Sequence, residues 1–320
     1  MAKPIWRDYY VDLGEAESIV YRISYTENNE QKVIFVGKSN MRPGAEDANQ
    51  VRINDICADY LVTNVPNFKA NGVVHDTYPS FKIETFDEEN GVWVQADAQT
   101  FTPDWSYEDY FIEISGMAAP IKPIIDRRQA LLYSVFNATT ILYEQHGEIP
   151  NPQGISVNGS GTISVMHPST ALYTGITING QYYKYVDSCA EWVMHYVNAY
   201  GGWDSLLIDG NVSERDDLKR HNISQEYYNA DARERGKRNF VNELTKVFTL
   251  HTGWLSDDES SRMHHLLNST NVYMQNLVDG RIIPVVLTNS TTEYKTYKTN
   301  GRQMVDYTIE AEVAREMVRK

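Results

Sequence analysis

GITINGQYYKYV, residues 175–186, decides the fold class. Two short runs of branched or aromatic residues flank Asn179-Gly180, and Asn-Gly supplies the positive φ that a two-residue hairpin needs. The segment reads as two antiparallel strands joined by a tight turn. The same grammar recurs upstream, where YPSFKIETF (78–86) and VWVQADA (92–98) flank Glu88-Glu89-Asn90-Gly91. SIVYRISYT (18–26) alternates apolar and polar residues, and KVIFV (32–36) is a short run of buried type. Most of these strands sit about ten residues from the next turn signal, a rhythm that suits antiparallel sandwiches rather than alternating α/β units.

Helix signals are few. Asn54 or Asp55 could cap a short helix through Ile56 to Leu61. SDDESSRMHHLL (256–267) is clearer, because Ser256 and Glu259 form a capping box and acidic residues crowd the positive end of the helix dipole. Met263, Leu266 and Leu267 then make a narrow apolar stripe that predicts packing on a sheet. GMAAPIKP (116–123) reads as a linker. The expectation is a mainly β chain: an N-terminal β-sandwich domain over 1–117, a small middle β domain over 118–189, and a C-terminal β-sheet domain over 190–320 packed by one short helix.

The totals agree with such modules. The chain has 320 residues, of which 42% are hydrophobic and 22% charged, enough for two or three cores. A net charge of −14 repels phosphate backbones and argues against nucleic-acid binding as the main task. RERGKR (233–238), the one dense basic run, reads as a solvated loop or strand end. Cys57 and Cys189 have no metal-type spacing, which fits a reducing cytoplasm. The opening MAKPIWRDYY lacks the apolar segment of a secretory signal, and no run approaches the ~20 apolar residues of a membrane helix.

Catalytic constellations are weak. His264 and His265 are adjacent, so on a helix they diverge and cannot readily share a metal. Asp55 and Asp59 form an acidic i, i+4 pair with no third ligand, and Asp257, Asp258 and Glu259 lack the glycine and spacing of a calcium loop. Glycan hydrolysis would need a carboxylate pair, for instance Asp104 and Glu108, and no pair has a recognisable environment. No catalytic residue, cofactor or metal site is assigned, and the expectation is a protein without enzymatic activity.

The aromatics say more. Tyr occurs 22 times and Trp 6 times. Such side chains give large contact area for little rotamer entropy, so interfaces favour them. Trp6, Tyr9, Tyr10, Tyr182, Tyr183, Tyr185, Tyr227 and Tyr228 are therefore candidates for subunit contacts. Two other readings stand beside this one: ordinary core packing, and carbohydrate or receptor binding on a groove of Trp93, Trp105 and Trp203.

YVNAYGGWDSL (196–206), Asp209-Gly210-Asn211, HTGWLSDDESSRMHHLLNSTNVY (251–273), IPVVLT (283–288), EYKTYKTNG (293–301) and VGKSNMRPGAEDANQVRINDICAD (36–59) resemble virion structural proteins of tailed phages that infect Bacteroidetes, including the crAss-like group. The resemblance covers most of the first and last thirds of the chain and is weak across about 120–175. It implies a tail, tail-hub or head–tail connector subunit, assembled in the host cytoplasm and carried in the virion. It also implies a symmetric homo-oligomeric ring that contacts other tail or portal-vertex proteins, with DNA passing through an acidic lumen and no membrane or sequence-specific nucleic acid involved.

Overall fold

The computed structural model describes residues 3–4, 10–13, 18–27, 30–40, 50–53, 56–57, 60, 65–69, 72–74, 80–89, 92–104, 116–117, 119–136, 140–147, 151–156, 161–165, 173–224, 237–288, 295–299, 302–314 and 317–319. The architecture is mainly β, built mostly from antiparallel pairings, with a C-terminal sheet packed by short helical turns.

The first sheet has four strands, β1 (Ser18–Glu27), β2 (Glu30–Asn40), β3 (Phe81–Glu89) and β4 (Val92–Phe101), in the order β2-β1-β3-β4. Glu89 stands opposite Val92, the register that a two-residue Asn90-Gly91 loop requires. Alternation selects one face: Ile19, Tyr21, Ile23, Phe81 and Ile83 point into a core closed by Val11, Leu13, Ile53 and Cys57. The other face carries Glu84, whose carboxylate accepts from Arg22 at 2.6 Å and Lys82 at 2.7 Å.

Two sheets follow. β5 (Ile124–Asp126), β7 (Thr140–Gly147), β8 (Asn151–Ser156), β10 (Tyr173–Ile178) and β11 (Gln181–Val186) lie in the order β5-β11-β10-β7-β8. β6 (Leu131–Phe136) and β9 (Gly161–Val165) belong to a second sheet that also takes in Gly116–Met117 and Gly72–Val74. The middle sheets are thus assembled from non-contiguous chain. Asn179 (φ 44°) and Gly180 (φ 85°) make the turn between β10 and β11 that the Asn-Gly pair predicts.

The last unit holds β12 (Trp192–Val197), β13 (Trp203–Ile208), β14 (Val212–Ser224), β15 (Lys237–His251), α1 (Asp257–Ser261), α2 (His264–Leu267), β16 (Val272–Asn276), β17 (Ile282–Leu287), β18 (Lys295–Thr299), β19 (Arg302–Asp306), β20 (Thr308–Val313) and β21 (Met317–Arg319). The sheet runs β13-β12-β16-β17-β20-β15-β14, with β21 also pairing with β15. Residues 209–211 join its two edge strands, and so short a link spans at most about 14 Å. The sheet must therefore curl until those edges approach at one end. Inside the curl lie Met194, Tyr196, Leu206, Phe248, Leu250, Met274 and Ile309, capped by Met263 and Leu266.

The capping box is present as expected: the Glu259 N–H donates to Ser256 Oγ, and the Ser256 N–H donates to Glu259 Oε2 at 2.7 Å. The single helix expected over 256–267 is instead two short pieces. The N–H groups of Arg262, Met263 and Leu266 reach back three residues rather than four. This tighter winding turns both Met263 and Leu266 inward and lets Arg262 donate to the Pro120 carbonyl at 3.0 Å.

Gly210 fixes the base of the β14–β15 hairpin. Its N–H donates to the His251 carbonyl at 3.1 Å, and a Cβ built there would lie 2.5 Å from that same oxygen. Gly210→Ala is expected to cost about 2–3 kcal/mol, because backbone rather than a flexible side chain must move. A shift in urea midpoint measures it. Loss of less than about 0.5 kcal/mol would show that the contact relaxes cheaply.

Candidate assembly surface

β14 is an edge strand. It pairs with β15 from Val212↔Leu250 to Ser224↔Lys237, and the register is regular as far as His221. Its first residues stand over the core, since Val212 packs against it and Glu214 lies opposite the buried Phe248. Beyond them the hairpin runs past the core, and residues 213–222 are exposed. The strand is charged, reading Glu214, Arg215, Asp216, Asp217, Leu218, Lys219, Arg220. Lys246 holds Glu214 at 2.9 Å from across the hairpin, and Arg215 pairs with Asp217 along the strand. Leu218 is 44% exposed, opposite the half-buried Leu244. The outer N–H and C=O groups of this strand face no other strand of its sheet. An edge of that kind can accept another strand.

The aromatic candidates divide. Tyr10 and Tyr182 are exposed, at 51% and 43%. Tyr183 and Tyr185 are not available as contacts: alternation along β11 turns them into the middle core with Ile125, Tyr133 and Ile176. Burial pushes the Tyr183 phenol far above its usual range and that of Tyr185 to about 12. Trp6, Tyr9, Tyr227 and Tyr228 lie outside the described residues, as do Asp55, Asp59 and Glu108.

The three-tryptophan groove does not exist. Trp203 is 0% exposed and meets Phe68 edge-on at 5.8 Å, Trp93 is exposed on β4, and Trp105 lies outside the described residues. The reason is that β12 and β13 are covered on both faces. One face bears on the curled core, and the other presents His195, Val197 and Trp203 to Phe68 and Leu132 of the neighbouring segments. Ser134 on β6 donates to the Trp203 carbonyl at 3.0 Å, which fastens the two units together.

That double burial traps polar groups. Asp204 is 7% exposed, accepting from Tyr196 Oη at 3.2 Å and from the Ser205 N–H at 2.7 Å. Burial raises its pKa to about 7, against the pull of those two donors and of the Arg262 charge. His195 lies fully buried, stacked on Phe68 at 4.2 Å, and its Nε2–H donates to Gln275 Oε1 at 2.9 Å. Burial lowers its pKa to about 4. His265 is also buried, accepting the Ala199 N–H at Nδ1, and burial together with the neighbouring His264 and Arg262 brings it to about 4. His264 is exposed and donates from Nδ1–H to the Ser261 carbonyl at 2.7 Å. The adjacent histidines therefore serve different structural partners. The sequence reading missed Asp204 and His195. The available signal was a lone polar residue in WVMHYV for His195, and for Asp204 an acidic residue in the mostly apolar WDSLLI.

Among the described residues, no three His, Cys, Asp or Glu side chains converge as a metal site. No helix of the described residues is long and apolar enough to cross a membrane. No family model matches the chain, and no curated protein is significantly similar to it.

Proposed function

We propose that the chain is a non-enzymatic structural subunit of a tailed-phage virion, a ring-forming tail or head–tail junction protein. The observation that carries this reading is the long, charged hairpin β14–β15, which projects beyond its own core with an edge that no strand among the described residues pairs. A chain that ends its folding with a strand edge open is equipped to continue its sheet into another subunit. The resemblance to virion proteins of Bacteroidetes phages adds support, as does the curled sheet closed by short helices. Exposed Tyr10 and Tyr182 provide further contact area. The net charge of −14 suits a lumen through which DNA slides without sticking.

Density-gradient-purified phage particles from a host culture producing this chain provide the test. The chain should band with the particles, survive a high-salt wash, and be found by mass spectrometry at a multiple of the portal-vertex copy number. Absence from purified particles overturns the proposal.

A further inference from the structure

We infer that β14 is a homotypic docking edge, on which a second copy of this chain pairs antiparallel about a twofold axis through Leu218. A twofold pair occupies this edge, so the ring of the proposed function must close through other surfaces, and the pair then joins two subunits or two such rings face to face.

Charges on an edge strand ordinarily keep copies apart. Here their order is self-complementary. When one strand pairs antiparallel with its own copy, opposed residues must lie on the same face of the sheet. The axis must therefore pass through a residue that meets itself. From Glu214 to Arg220 every residue but Leu218 is charged, so any other axis in that stretch sets like charge on like. The axis at Leu218 does the reverse. It places Asp217 opposite Lys219 and Asp216 opposite Arg220, each twice by symmetry; the flanking Arg215 falls opposite His221, which Glu243 holds at 3.1 Å, and adds no opposite-charge pair. On one face Leu218 meets its copy beside Leu244, turning an isolated exposed side chain into an apolar stripe of four across the joined hairpins.

The strand is regular from Arg215 to His221, the window this pairing uses, and the register shifts only between His221 and Asn222. Asp216, Lys219 and Arg220 have no ion-pair partner among the described residues, so their charge is uncommitted within the chain. So short an edge buries less than about 1,000 Å² in all, which fits a weak pair with a dissociation constant in about the tens of micromolar or above.

The full chain is examined by analytical ultracentrifugation from micromolar to millimolar concentration. The wild type should show a concentration-dependent species of even copy number. Asp216→Arg, which puts Arg against Arg220 of the copy, should weaken association about tenfold, and Arg220→Asp should do the same. The double swap D216R/R220D restores opposite charges only between copies. Positions 216 and 220 of one extended strand are about 13 Å apart, too far for an exchange within the chain to matter. It should recover wild-type association. Both sites are exposed, so unchanged circular dichroism and melting temperature identify variants that remain folded. A monomer at every concentration, single variants that associate like wild type, or a double swap that stays as weak as the singles each overturns the inference. Because these outcomes are read on purified chain alone, they are separate from whether the protein is found in virions.

Discussion

Asp204→Asn should stabilise the folded chain by about 2–4 kcal/mol at about pH 8, with the gain shrinking as the pH falls and vanishing near the ordinary carboxylate pKa. The carboxyl titrates at about 7 in the fold against an ordinary 3.8. The folded state thus holds its proton more tightly than the unfolded chain does. The resulting stability is fully present below 3.8 and is lost as the pH rises to about 7, above which folding must bury a charge. An amide carries no charge at any of these values; its oxygen can accept from the Ser205 N–H, and its NH2, standing in place of Oδ2, can donate to Tyr196 Oη. His195 and His265 act in the opposite sense. Each titrates at about 4 in the fold against 6.5 otherwise, so the stability they contribute is present above 6.5 and lost as the pH falls toward 4. They are common to both proteins and cancel in the comparison. Urea midpoints of variant and wild type, taken from about pH 4 to pH 8, measure the effect. A difference that does not change with pH would remove Asp204 as the buried titrating group.

Trp203→Ala should cost about 3–5 kcal/mol, the range for truncating a fully buried large aromatic. The ring is 0% exposed and sits among Phe68, Tyr273 and Leu132. The loss falls at the junction between the middle sheets and the C-terminal sheet, so the two units should also become separable. A second, lower-temperature transition in scanning calorimetry is expected where the wild type shows coupled melting. Trp93→Ala, by contrast, removes an exposed ring and should change stability by less than about 0.5 kcal/mol. Equal effects from the two substitutions would mean that Trp203 is not at a packed junction.

Local rules were legible wherever neighbours in sequence decide the outcome. Asn179-Gly180 made its turn because only the backbone dihedrals of two adjacent residues were at stake. Ser256 and Glu259 made their capping box because the partners are three residues apart. The helix beyond that box broke, because the fit of Met263 and Leu266 to a core assembled from distant strands outweighed continued α-helical winding. Tyr183 and Tyr185 illustrate the same limit. Composition marks tyrosines as interface material, but the pleat of β11 turned these two inward.

By itself, then, the sequence determined the mainly β class, the hairpins and the capped turn, since each rests on dihedral preferences and hydrogen bonds within a few residues. Only the tertiary structure decided that β12 and β13 are covered on both faces, that Asp204 and His195 are buried with them, and that β14 is left as an open edge among the described residues. Those outcomes depend on which distant strands become neighbours, and that is set by the burial of whole faces, which no short stretch of residues encodes.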